Sequence, residues 1–499
     1  MAVEHVFVLM LENRSVDQML GLSGIKGVDA VSGRPTSIEG LSGAESNPSL
    51  TGGTIKVTTP SEYVAPADPG HEFVDVREQL CGKGGSFSVS TPSPGSVDPN
   101  INNSGFVTSF ATKYPTVDPT IPMQVFGPSQ LPVLTTLAQE FAVCDHWFSS
   151  LPGPTWPNRF FVHAATSGGL DHSPSLPKEL SSMAGGAYKF ANGTLFDLLN
   201  NGKLDWAVYT GDDFPQSLHM AGMTDNLTKF HEFSHFKKDL MADKLPLSYV
   251  FIEPSWHPFT HFKGGTSQHP LDDVTGGERL IKEVYETIRG SPVWESSMLI
   301  ITYDEHGGFF DHVAPPATVD PGDAPSDPEN NRNGFNFRQL GVRVPAVVIS
   351  PLVGKGVIDH RIYDHSSVPA TVEGMFGLTN LTQRDKQANR VDPLLTLADP
   401  RTDAPMTLPD PVDTGGILKV EVEALNKVEE WGEKIVAAVG LGADVAIDPA
   451  IAGFVHIALL KHLASAPAEK DKIIAEAKQV ASDADAIRYM RKVSGLLHK

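Results

Sequence analysis

Cysteine is scarce in this 499-residue chain, which carries only Cys81 and Cys144. Two cysteines exclude a multi-bridge disulfide framework and a zinc module built on four thiolates, and leave room for one disulfide. Long apolar runs are absent too. The longest lies near Ile451–Leu460, well short of the roughly 20 residues a spanning helix needs. That excludes an integral membrane protein of helical type. Positive charge is in deficit: 39 Lys and Arg face 60 Asp and Glu, for a net charge of −21. This balance argues against nucleic acid as a partner, since such binders present a basic face to phosphates. The first eleven residues lack a basic stretch and a small-residue cleavage site. The expectation is a chain that is cytoplasmic as written, or exported by a leaderless route or after removal of a leader.

Apolar residues make up 40% of the chain, enough for a sizeable core. Residues 6–11 form a Val/Leu-rich run that reads as a strand covered on both faces. Val16, Met19 and Leu20 suggest a short helix after it. Residues 28–70 and 82–128 are rich in Gly, Ser, Pro and Thr and read as long surface loops. Leu131–Phe141, Trp156–Ala165 and Glu278–Ile288 read as helices. Trp206–Thr210, Leu247–Ile252, Met298–Thr302 and Val344–Ile349 read as strands. Strands alternating with helices predict an α/β fold, a mostly parallel sheet flanked by helices. Residues 314–335 read as a solvated Pro/Asp/Asn-rich loop. Pro400, Pro405, Pro409 and Pro411 mark a linker over residues 400–416, separating a body at 1–399 from an all-helical C-terminal domain at 417–499. In that tail Val428, Trp431, Ile435 and Val439 recur at helical spacing, as do Phe454, Ile457 and Leu460, and Ile473, Ala477 and Val480.

Ligands of open α/β sheets bind outside the carboxyl ends of the strands. Glu12 and Asn13 follow the first strand. Asp304 and Glu305 follow the strand Met298–Thr302. Thr155 stands at a predicted helix start in Gly153-Pro154-Thr155-Trp156-Pro157-Asn158-Arg159. Carboxylates, an amide oxygen and a hydroxyl suit a hard divalent cation, which would also relieve repulsion between Asp304 and Glu305. Thr155 on its own reads more readily as a helix N-cap. A metal bound there would make its hydroxyl a better nucleophile. The 18 histidines include His71, His269, His312 and His365 in short polar contexts. Imidazole can contact phosphate oxygens and protonate a leaving group.

The order of the motifs is distinctive. Leu11-Glu12-Asn13-Arg14-Ser15 comes first, then Gly153-Pro154-Thr155-Trp156-Pro157. Thr302-Tyr303-Asp304-Glu305-His306-Gly307-Gly308 with Phe309-Phe310-Asp311-His312, Arg343-Val344-Pro345-Ala346 and Tyr363-Asp364-His365-Ser366-Ser367 follow. Over roughly residues 4–395 the chain closely resembles the bacterial phosphoesterase family of phosphatidylcholine-type phospholipases C and acid phosphatases, a branch of the alkaline phosphatase-like fold. The tail after residue 410 does not resemble the C-terminal modules of exported phospholipases. The resemblance implies that Glu12, Asn13, Thr155, Asp304 and Glu305 are metal ligands and that Thr155 is the transiently phosphorylated nucleophile. It implies that His71 and His269 face the phosphate or leaving group. His269 lies in a Gln-His-Pro context, where the family more often has an acidic residue before His-Pro. His219 is the candidate for a further family histidine on the substrate side.

The implied activity is a phospholipase C acting on phosphatidylcholine-like diesters through a phosphothreonine. The cofactor is a divalent metal ion: calcium, magnesium, manganese or zinc. A quaternary ammonium head group is recognised by aromatic faces, and Trp156 and Phe309 are the candidates nearest the motifs. The alternatives are an acid phosphatase, with Arg14 and Arg159 as extra contacts to a dianion, and a delivered effector that binds a partner through its helical tail. Expected partners are a phospholipid or other phosphoester substrate, a transient membrane surface contact, and partner or self-association through the C-terminal helices.

Overall fold

The computed structural model describes residues 3–90, 92–174, 187–242, 247–325, 327–415, 447 and 449–498. The expected helix around Val428, Trp431, Ile435 and Val439 lies outside the described residues.

The molecule is organised around a ten-stranded sheet. In chain order its strands are β1 (His5–Leu11), β2 (Lys26–Asp29), β3 (Pro35–Ser37), β6 (Ala142–Cys144), β7 (Asp205–Thr210), β8 (Phe230–Glu232), β9 (Leu247–Glu253), β10 (Ser297–Tyr303), β11 (Ala346–Ile349) and β12 (Val357–Asp359). A separate hairpin pairs β4 (Ser46–Pro48) with β5 (Thr54–Lys56). The order across the main sheet is β3-β2-β12-β6-β11-β10-β1-β9-β7-β8. From β10 through β8 every pairing is parallel, and β11 runs antiparallel to both its neighbours. The mostly parallel α/β sheet expected from the alternation is therefore present. Strands β1 and β10 are buried along their whole length. This is why they appear in the sequence as continuous apolar runs rather than alternating ones.

The sheet register brings two of the expected site segments together. Leu11 pairs with Tyr303 at the carboxyl ends of β1 and β10. The next residues, Glu12 and Asp304, leave the sheet side by side. Helix Val274–Arg289 lies between β9 and β10 in sequence and supplies the parallel crossover. The expected loop over 82–128 is only partly a loop: Phe106–Lys113 is a helix with a buried Phe106-Val107-Thr108-Ser109-Phe110 start. Its length gives the helical period two turns, too little to stand out among flanking Gly, Ser and Pro. Likewise 28–70 contains the short strands β3 to β5.

The described part of the tail forms helices Pro449–Ser465, Lys470–Ala477 and Asp483–Leu497. Helix Pro449–Ser465 is apolar around its whole circumference. Such a helix needs cover on all sides, and here it receives it. Ile451, Phe454, Val455, Ile457, Ala458 and Leu459 belong to the same buried cluster as the central strands. No single helix among the described residues is long and apolar enough to cross a membrane. Cys81 and Cys144 are both buried and free, so the one disulfide that composition allowed is not formed.

Candidate active site

Five expected metal ligands converge. Helix Thr155–Ala164 points its N-terminus at the carboxyl ends of β1 and β10. Pro154 is its N-cap, so Thr155 is the first helical residue and caps nothing. Its Oγ1 donates instead to Asn13 Oδ1 at 3.2 Å. Asn13 holds a left-handed backbone with φ 56°, and its N–H donates to Asp304 Oδ1 at 3.0 Å. Asn is one of the few residues that tolerates this conformation, and such strain gathers at functional sites. The Asp304–Glu305 turn comes close to that loop because Gly307 follows it. A Cβ on Gly307 would lie 2.2 Å from the Asn13 carbonyl oxygen.

Glu12, Asp304 and Glu305 are all buried. Arg159, one turn into the same helix, donates to Asp304 Oδ2 at 3.0 Å and to the Leu11 carbonyl at 2.8 Å. Arg159 and His71 together do not balance three buried carboxylates. Burial, reinforced by Asp304, pushes the Glu12 carboxyl well above its ordinary range, although Arg159 opposes this. Burial likewise pushes Asp304 up to about 6, against the pull of Arg159. Glu12 Oε2 and Glu305 Oε1 have no hydrogen-bond partner. Buried, unpartnered carboxylate oxygens call for a cation. The oxygen donors of Glu12, Asn13, Asp304 and Glu305 therefore fit a divalent ion.

A second acidic cluster does not. Among the described residues, it is Asp17, Asp311 and His312 that bring ligand atoms within 4.8 Å of one another. Their cation is already supplied by the protein. Arg343 donates to Asp17 at 3.0 Å and to Asp311 at 2.8 Å, entirely buried. This network ties three of the sequence motifs together and is structural.

The two expected histidines flank the carboxylates. His71 Nδ1 lies 3.7 Å from Glu305 Oε1. Burial would lower its pKa, but Glu305 and Asp68 outweigh burial and raise it to about 9. His269 Nδ1 accepts from the Leu271 N–H at 3.3 Å. The neutral ring therefore carries its proton on Nε2, which faces Asp68 Oδ2 at 3.8 Å. Phe262 stacks on the same ring at 4.2 Å. Gln268, in the place where the family more often has an acid, turns away to Tyr303 and the Val274 carbonyl. Asp68 thus supplies the acidic neighbour from a distant segment. Asp68 and Phe262 were missed as site residues. Asp68 stood in plain view three residues before His71, but only the fold brings it to His269. His365 is buried, and its Nε2 donates to the Asp304 backbone carbonyl at 2.6 Å while Trp147 donates to its Nδ1. Burial lowers its pKa to about 3, so it braces the turn as a neutral ring.

Three substrate-side expectations need correction. Trp156 is 2% exposed. Its ring is covered by His219 at 4.8 Å and by Phe454 of the C-terminal helix at 5.5 Å. Phe309 is 1% exposed, and the Arg14 guanidinium lies over its face at 5.1 Å. Neither ring offers an open face to a head group. His219 is fully buried and hydrogen-bonded through Nε2 to His456 Nδ1. It joins the body to the tail. Arg14 and Arg159 are also committed: Arg14 donates to the Gln268 and His269 carbonyls, and Arg159 holds Asp304.

Comparison with known proteins shows the family. Residues 3–379 match the model of the phosphoesterase family. The chain belongs to the phosphoesterase family, and it is an enzyme of the phosphoric ester hydrolase class. It is 37% identical over 461 residues to non-specific phospholipase C6 of Arabidopsis thaliana, covering 89% of this chain and 81% of that protein. It is 30% identical over 426 residues to phospholipase C B of Mycobacterium tuberculosis, covering 76% and 75%. The relatives are thus plant as well as bacterial. A span of 89% exceeds what residues 1–416 contain, so the likeness to the plant protein runs into the C-terminal segment. Among solved structures, a protein of the alkaline phosphatase superfamily from Vibrio parahaemolyticus aligns at TM-score 0.31 and 15% identity, covering 54% of this chain and 66% of that one.

Proposed function

We propose that this protein is a phospholipase C that cleaves the glycerol–phosphate ester of phosphatidylcholine-like diesters, with Thr155 as the nucleophile. The observation that carries this reading is the convergence of Thr155 Oγ1 and Asn13 Oδ1, at 3.2 Å, with three buried carboxylates at the ends of two adjacent parallel strands. The names of the relatives agree with it.

A divalent ion held by Glu12, Asn13, Asp304 and Glu305, with Thr155, would lower the proton affinity of the threonine hydroxyl and offset charge on the phosphoryl oxygens. The helix N-terminus adds its partial positive charge at the same place. The Thr155 oxygen bonds to phosphorus as the bond from phosphorus to the glyceride oxygen breaks. His269 as the imidazolium gives its Nε2 proton to the departing alkoxide and is left as the neutral ring, while the proton lost by the Thr155 hydroxyl passes to solvent. Water then attacks phosphorus and releases Thr155. His71, beside Glu305 and Asp68, steadies a phosphoryl oxygen. A phosphomonoester dianion asks for further cations, whereas Arg14 and Arg159 are occupied by protein partners. This favours a diester.

The test is paired turnover of a chromogenic phosphocholine diester and the matching phosphate monoester on metal-loaded protein. The diester is expected to be preferred, and Thr155→Ala to lose at least about 10³-fold in kcat. Near-normal turnover by Thr155→Ala, with melting and bound metal intact, would refute the nucleophile. Preference for the monoester would turn the reading to an acid phosphatase.

A further inference from the structure

Two segments run side by side away from the catalytic histidine. The Ala65 N–H donates to the Pro270 carbonyl at 2.8 Å, and the Val274 N–H to the Tyr63 carbonyl at 3.1 Å. At one end this pair of segments carries Asp68 and His269. Beyond it they line a cavity of about 580 Å³. Its walls include Tyr63, Val64, Ala65, Pro66 and Leu271, with Val412 from the segment after Pro411. Glu62, Lys263, Asp273, Asp413 and Thr414 add polar atoms, and Thr414 Oγ1 is bonded to Asp273 Oδ2. The size is that of a small-molecule site.

The position of the cavity selects its occupant. His269 protonates the departing glyceride oxygen, so the glyceride lies on the His269 side of phosphorus. Leu271, two residues on, is already in the cavity wall. The side chains of Tyr63, Val64 and Leu271 therefore lie on the side toward which the glyceride would depart. We propose that this cavity receives an acyl chain of the departing diacylglycerol, so that the enzyme reads the lipid tail as well as the phosphoester. This inference rests on the phospholipase C reading. An acyl group here would be taken from water into an apolar pocket, which favours longer chains by about fourfold per buried methylene.

The experiment uses the full chain loaded with metal, and monomeric phosphatidylcholines from dibutyryl to diheptanoyl below their micelle-forming concentrations. The chromogenic phosphocholine diester, which has no acyl chain, is the reference. The variants are Val64→Trp and Val412→Trp, which fill the cavity from two separate segments of its lining and are not site residues. For the unmodified protein kcat/KM is expected to climb several-fold with each methylene. Both variants are expected to flatten that climb by at least tenfold at the longest chain while leaving the reference diester unchanged. An unchanged chain-length slope in a folded variant would overturn the proposal. So would an equal loss on the reference diester, which would assign the cavity to the head group. Failure of the unmodified protein on the reference diester and on every phosphatidylcholine would instead refute the phospholipase C reading itself.

Discussion

Gly453→Ala sets helix propensity against tertiary packing. In an exposed helix the change stabilises by about 0.5–1 kcal/mol, because alanine loses less backbone freedom on folding than glycine. Gly453 is not exposed. A Cβ there would lie 2.2 Å from Cζ2 and 2.5 Å from Cε2 of Trp156. Carbon contacts relax at about 3.5–4.0 Å, so the indole or the helix must retreat by more than an ångström. Overpacking of a filled core costs about 1–3 kcal/mol. The expected balance is a loss of about 1–2 kcal/mol, despite the better helix former. Trp156 is bonded to Thr155, and misplacement of a reacting group by about 1 Å can cost about 10²-fold in rate. We expect kcat on the soluble diester to fall about 10- to 100-fold. The control is Gly495→Ala in helix Asp483–Leu497, where a Cβ meets nothing within 4 Å. It should raise Tm and leave kcat alone. Thermal melting and steady-state turnover on both variants decide the matter. If Gly453→Ala raises Tm as Gly495→Ala does, and keeps its kcat, the packing of the tail against Trp156 is wrong.

Other consequences can be measured independently. Arg159→Met leaves Asp304 buried without its cation and uncaps the Leu11 carbonyl; denaturant unfolding should show a loss of about 3–5 kcal/mol. Glu278 accepts from the Val133 and Leu134 N–H groups at 2.8 and 2.9 Å, and burial pushes its carboxyl from 4.5 up to about 7 despite those bonds. A raised carboxylate contributes its full stability below pH 4.5 and loses it as pH rises through about 7. Glu278→Gln should therefore gain on the unmodified protein by up to about 3 kcal/mol between these limits, read from unfolding at each pH. Divalent ions that bind the folded site should raise Tm, with about 2.7 kcal/mol of stabilisation at a hundredfold excess over Kd. Glu12→Gln and Glu305→Gln should abolish that rise, and a rise that survives both would place the metal elsewhere.

Much of the candidate site is legible in the chain because it is local. Glu12-Asn13 and Asp304-Glu305 each follow a continuous apolar run, and a run buried on both faces announces its strand without help from neighbours. Parallel pairing then makes adjacent strand ends meet. Helix Thr155–Ala164 was read one residue late, because Pro154 caps it without a side-chain hydrogen bond. The helix Phe106–Lys113 escaped because two turns give too little periodicity. Its helical state depends on the contacts that bury Phe106 and Phe110 in the tertiary structure.

By itself the sequence determined the parallel α/β core, the ends of β1 and β10 as the place for chemistry, and the helical character of the tail around Phe454. These follow from patterns over a few residues. Only the tertiary structure decided which face of each ring stays open. Trp156 and Phe309 carry aromatic faces suited to a cationic head group, yet one is roofed by Phe454 and the other by Arg14. It also decided that Asp68 attends His269 and that His219 meets His456, partners 201 and 237 residues apart. The physical reason is common to all of these. Exposure and pairing belong to the surroundings of a side chain, and those surroundings come from segments that local pattern cannot bring together.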